Sequence, residues 1–273
     1  MHWFKESGAL VPSHDDLAWL VDRTARDIHF TGSDASGWED SIWILNAFYE
    51  LPLEGHVPTH DELHKSRIAS GEIGARMING FNLDADTTTI GSGLGYERRP
   101  PAAWRRRTWA EMMNRFPQKI PTDGLLPGHR WFPVRSFPAN IVLPTMGSMS
   151  EEDFTELINV LTNHSPGTVC SVYFADVWDF SPDPCKAPVY DARIRDLPAV
   201  INDAADEHQV FTPANMWPPD RSWLVYTDYD LWATKVSGST ELINDLRANP
   251  LLETLDRVPG SALHAGVIAG HRP

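Results

Sequence analysis

Three histidines, His56, His60 and His64, recur at intervals of four. With Thr59 as N-cap, His60 and His64 fall one turn apart on one helical face, the placement two ligands of a zinc ion need. The run His60-Asp61-Glu62-Leu63-His64 carries Asp61 where the H-E-x-x-H metalloprotease pattern carries glutamate, and Pro58 leaves His56 outside the helix. Asp228 and Asp230 alternate at the end of an expected strand, roughly 7 Å apart, a spacing open to acid–base or metal chemistry. Asp176 and Asp179 end another expected strand. Either pair, His60/His64 or Asp228/Asp230, would suit a metal-assisted hydrolase. The plainer readings are a solvated helix start and a polar strand end.

Arg98, Arg99, Arg105, Arg106 and Arg107 form the basic cluster of the chain, interleaved with Trp104 and Trp109. Guanidinium forks suit carboxylate or phosphate, so these are candidate anion-binding residues. On a helix three consecutive arginines fan over about 200°, which favours bridging to acidic parts of the chain over one concerted site. Gly91, Gly93 and Gly95 lack the Lys-Ser/Thr of a phosphate loop, and no G-x-S-x-G elbow occurs. Cys170 sits in an apolar strand pattern and reads as a packing residue.

The elements that would carry these residues divide the chain in two. Residues 1–116 read as mainly helical. Ser13 and Asp16 open a helix through Ile28; Ser36 and Glu39 have capping-box spacing ahead of Trp38, Ile42, Leu45 and Tyr49. Thr59 and Glu62 repeat that box for a helix running to about Ile78, and Pro100-Pro101 precede a helix with Trp104, Trp109, Met112 and Phe116. Residues 117–138, rich in proline and glycine, read as a linker. Residues 139–273 alternate: strands at Asn140–Leu143, Thr168–Trp178, Ser222–Tyr229, Ala233–Ser237 and Leu251–Val258, with helices capped by Ser150, begun at Pro198 and capped by Ser239. The expected fold class is α+β: a helical N-terminal part and a C-terminal mixed or antiparallel sheet with helices on one face, the two parts able to pack as one unit.

Composition bounds what such a chain can do. Its 273 residues suit about two domains or one large one, and 42% hydrophobic residues suffice for a core. No apolar run reaches the length of a transmembrane helix, and Met1-His2-Trp3-Phe4-Lys5-Glu6 lacks the apolar stretch of a secretory signal. Two cysteines do not make a disulfide framework, so a cytoplasmic location is expected. Residues 1–136 hold 15 basic against 18 acidic side chains; residues 137–273 hold 8 against 19. Such a surface repels phosphate backbones and anionic membranes and suits a basic protein partner. Eleven tryptophans accompany that charge.

Two stretches resemble a known group. Gly37 to Leu45 with Thr59-His60-Asp61-Glu62-Leu63-His64-Lys65 is one; Arg221 to Asp230 with Gly238 and Leu242-Ile243 is the other. They resemble uncharacterised actinobacterial proteins, some similar to immunity proteins of polymorphic-toxin systems. The resemblance covers about half the chain in patches and carries over no catalytic residue. It implies a binding protein of the antidote kind; the acidic C-terminal half and the tryptophans, with no complete catalytic set, add the expectation of a non-catalytic protein without a cofactor that docks a basic partner through an acidic, tryptophan-rich surface. Asp228, Asp230, Trp223 and Trp232 are the binding residues expected on it, with aromatic anchors supplying affinity and charge supplying rate.

Overall fold

The stretch Ile42-Trp43-Ile44-Leu45 is apolar at every position, so both of its faces must be buried, and β-branched residues at alternate places fit a pleated strand better than a helix. It is a central strand. A computed structural model describes residues 10–23, 34–75, 77–78, 81–82, 84, 87–117, 125–174, 187–256 and 268–269.

Its first elements are β1 (Val11–Pro12), α1 (Ala18–Arg23), β2 (Asp40–Leu45), β3 (Phe48–Glu50), α2 (His60–Ala69), β4 (Met77–Ile78), β5 (Phe81–Asn82), β6 (Arg105–Arg107) and α3 (Trp109–Arg115). There follow β7 (Ile141–Val142), α4 (Glu151–His164), β8 (Val169–Tyr173), β9 (Val189–Arg193) and α5 (Leu197–Ala205). The last are β10 (Asn215–Trp217), β11 (Leu224–Thr227), β12 (Ala233–Gly238), α6 (Thr240–Ala248), β13 (Glu253–Leu255) and β14 (Ile268–Ala269).

Nine strands form one antiparallel sheet in the order β1-β9-β8-β10-β11-β12-β2-β13-β14. β6-β3-β7 make a smaller sheet. Ile42 and Ile44 point to one side with Val172, Met216, Val225 and Val236, under α4, α5 and α6. Those helices cover the sheet through Phe154, Leu157 and Leu161, Val200 and Ile201, and Leu242, Ile243 and Leu246. Each such side chain contributes about 1.5–3 kcal/mol by leaving water. Trp43, Leu45 and Tyr226 point to the other side, where Phe48, Trp109, Trp131, Phe132, Phe137 and Trp232 pack from loops and short elements. Farther along that side, Leu17, just before α1, and Leu20 within it pack with Tyr173, Trp217 and Leu224.

The α+β class holds, and the C-terminal helices share one face of an antiparallel sheet. The helical N-terminal part does not hold, since the helices lie mostly in the C-terminal half. The Ser36–Tyr49 region, expected as a helix, forms β2 and β3, because the demand to bury both faces of Ile42–Leu45 outweighs the capping-box spacing. Arg105–Arg107 is a strand, not part of a helix; the helix starts at Trp109, where Thr108 and Glu111 make a real capping box. The box at Thr59 and Glu62 forms as expected, but α2 stops at Ala69, ahead of Gly71 with φ +75°. β9 and β10 had no expected counterpart. Residues 1–116 are not a separate unit, because β2 lies between β12 and β13. Nor are described residues 125–138 a free linker: Trp131 and Phe137 are fully buried in the aromatic core.

Candidate functional site

Trp223 and Trp232, expected as surface anchors, are interior residues. Trp223 is 2% exposed and donates from Nε1 to Ser165 Oγ at 3.0 Å. Trp232 is 0% exposed and meets Phe48 and Trp109 edge-on, at centroid distances of 5.9 and 6.2 Å. Alternating apolar patterns place a tryptophan on a strand without saying which face is covered, and here both are. Asp228 and Asp230 lie in the turn after β11, which ends at Thr227. Asp228 accepts from the Tyr226 hydroxyl at 2.6 Å and from the Asp230 amide at 2.9 Å, an Asx turn that leaves the Asp230 side chain exposed. Asp176 and Asp179 lie outside the described residues.

The arginines do not converge on one site. Arg106 bonds Asp153 at 2.6 Å and Glu152 at 3.3 Å, both in the first turn of α4. Asp153 is fully buried and also accepts from the Ala47 amide and the Ser150 hydroxyl, each at 2.9 Å. Tyr49 donates to Glu152 at 2.7 Å; burial and the neighbouring Asp153 raise its phenol above the ordinary range. Arg107 and Arg115 both bond Glu50. Burial alone would raise the Glu50 carboxyl, but these two guanidinium groups outweigh it and hold it below its usual range. Arg98 reaches Asp206 at 2.7 Å, Arg99 reaches Glu152 at 3.6 Å, and Arg105 stays exposed. The cluster therefore ties the N-terminal strands and loops to α4 and α5, the bridging alternative rather than a shared anion site.

His60 and His64 likewise serve different partners. His60 Nε2 bonds the Ile141 carbonyl at 2.8 Å, and its ring lies so near Gly91 that a Cβ there would sit 2.2 Å from it. His64 Nε2 bonds Asp84 at 3.1 Å, and that carboxylate is 4% exposed. Among the described residues no group of three His, Cys, Asp or Glu is placed to hold a metal ion. Cys170 is buried in the aliphatic core, and burial pushes its thiol up to about 12.

Glu253 and His129 are among the other titratable groups perturbed by packing. Glu253, on β13, accepts from the Trp109 amide at 2.7 Å and the Ala110 amide at 3.4 Å, closing the start of α3. Burial lifts its carboxyl to about 7 against the lowering effect of those two bonds. His129 is pushed below its ordinary value, first by burial beside Trp232 and then by Arg130.

Exposed acidic side chains that make no ion pair among the described residues occur at Asp16, Asp22, Glu54 and Glu62 in the N-terminal half, and also on and around the helical layer. Apart from Arg247 and His164, every ionisable side chain on α4, α5 and α6 is acidic. Asp203 and Glu241 on these helices, with Asp220 and Asp230 in loops, are exposed and make no ion pair among the described residues. Asp206 and Asp245 are 65% and 60% exposed at the side chain while each holds one partner, Arg98 and His164. The sequence placed the negative charge in this half but singled out neither Asp203 nor Glu241. The signal was there: inward Val200, Ile201, Leu242 and Ile243 define which positions of each helix must face out. Among the described residues, no helix is long and apolar enough to cross a membrane. No protein-family model, curated protein or solved structure matches this chain.

Proposed function

We propose that this chain is a cytoplasmic, non-catalytic binding protein of the antidote kind, which docks a basic protein on the outer side of α4, α5 and α6. One observation carries this reading: Asp203 and Glu241 stand exposed on the helical layer and make no ion pair among the described residues, whereas Arg98, Arg99, Arg106 and Arg107 are each engaged in ion pairs. Charges held this way steer a cationic surface into register and raise the encounter rate, while repelling phosphate backbones. Trp223 and Trp232 take no direct part, being enclosed in the core.

The test is reversal of charge at Asp203, Glu241 and Asp245 to lysine, in one chain. Low-salt capture from host extract by the unaltered chain should yield a basic protein released by added salt. Against that purified protein the reversed chain should associate at least about tenfold more slowly at low ionic strength, with the difference fading as salt rises. Equal association by both chains would remove the reading.

A further inference from the structure

On the face of the large sheet away from α4, α5 and α6, the aromatic packing is interrupted. Where β2 and β12 present Trp43 at one level, they present the small pair Ser41 and Ser237 at the next, cross-strand partners in the register. The sheet is therefore recessed, and a cleft of about 410 Å³ opens above it. Ser41, Ser237 and Lys235 of the sheet line it, together with Trp38, Asp40 and Asp256. That volume lies toward the small end of the ~300–1,000 Å³ typical of sites for small ligands.

The polar groups of this cleft are not all satisfied internally. Ser237 is 5% exposed, and neither its hydroxyl nor that of Ser41 makes a hydrogen bond among the described residues. Both residues line the open cleft, where water or a ligand can bond their hydroxyls. Lys235 is neutralised by Asp34 at 2.7 Å. Arg247 then stands alone against two carboxylates, bonding Asp256 at 2.6 Å and lying 3.6 Å from Asp40, each about one-third exposed. Glu39 lines the cleft as well, so the carboxylates Asp34, Glu39, Asp40 and Asp256 outnumber the cations Lys235 and Arg247 by two, and Asp40 and Asp256 already accept a guanidinium group.

We propose that this cleft receives an arginine side chain of the basic partner, its guanidinium bridging Asp40 and Asp256 and donating to the Ser41 and Ser237 hydroxyls, with Trp38 as the side wall. Planar donors match paired carboxylates, and an indole face attracts a guanidinium further. This inference rests on the docking function proposed above and adds its specificity: the helical carboxylates set the rate of encounter, and the cleft selects arginine.

The probe is Nα-acetyl-arginine amide, titrated into the full chain and followed by amide and indole NMR signals. Saturable shifts are expected at Trp38, Ser41, Lys235 and Ser237, with none from Nα-acetyl-glutamine amide. Ser237→Val, which fills the floor with a strand-favouring residue, and Asp256→Asn should each weaken binding at least fivefold. Ser41→Ala gives a third, milder readout should either variant misfold. Absence of saturable shifts at the cleft, equal shifts with the glutamine compound, or unchanged affinity in folded variants would overturn the pocket. If the pocket fails while charge reversal on the helices still slows association, only the pocket falls. If arginine binds the cleft and charge reversal changes nothing, the docking face falls instead.

Discussion

On one side of the nine-stranded sheet the filling is aliphatic and arrives on three helices; on the other it is aromatic and arrives largely on loops and short elements. Helices bring apolar side chains at fixed intervals, so branched aliphatics interdigitate and no polar handle is needed. Loops bring their backbone along, and its amides and carbonyls must be satisfied inside the protein. Indoles do both jobs. Trp109 fills the aromatic core while its Nε1 donates to the Asn46 carbonyl at 2.8 Å, and Trp131 does the same toward Leu125 at 3.1 Å. Among the described residues no tryptophan is exposed, and most of them build the second face rather than a sticky exterior.

The sharpest way to break this contrast is to remove one aromatic. Trp232→Ala should destabilise the fold by about 3–5 kcal/mol in denaturant titration, because several rings lose a shared neighbour. On the helical face, Leu157→Ala should cost about 2–4 kcal/mol; if it cost more than the tryptophan, the aromatic face would be the softer one. Between the two lies Arg106. Arg106→Leu leaves the buried Asp153 carboxylate short of its cation and should cost about 3 kcal/mol, and adding Asp153→Asn should recover part of it.

Glu253, between β13 and α3, gives a pH-resolved test. Its carboxyl keeps a proton up to about 7 in the folded state, whereas an unfolded glutamate releases it near ~4.3. The folded chain therefore binds more protons between those values, and this group's contribution to stability falls as pH rises through that window. Glu253→Gln should remove the slope and gain about 1–3 kcal/mol at pH 8, as read by urea unfolding at a series of pH values. The smallest effect is expected at Asp230: Asp230→Asn should shift stability by less than about 0.5 kcal/mol, because its side chain is exposed and only its amide serves the turn.

These two faces also differ in how far the sequence revealed them. The helical layer was legible, since Phe154, Leu157, Ile158 and Leu161 announce α4 by spacing alone, and Ser150 and Ser239 cap where expected. The aromatic face was not. Residues 125–138 have turn composition throughout, and nothing local says that Trp131 and Phe137 enter a core assembled from distant segments. β2 misled for a related reason: Ile42 and Leu45 stand at a helical interval, and burial on both sides is a tertiary fact. The acidic character of the C-terminal half was visible as a sum of charges, whereas the recess over Ser41 and Ser237 needs a register joining residues near 40 with residues near 237.

That register has a temporal consequence. Both strands that flank β2, Ala233–Gly238 and Glu253–Leu255, emerge from the ribosome some 190 to 210 residues after it. Until then the apolar stretch Ile42–Leu45 has neither neighbour to pair with. Closure of the sheet is a late, long-range event, which predisposes the chain to slow folding and to capture by chaperones.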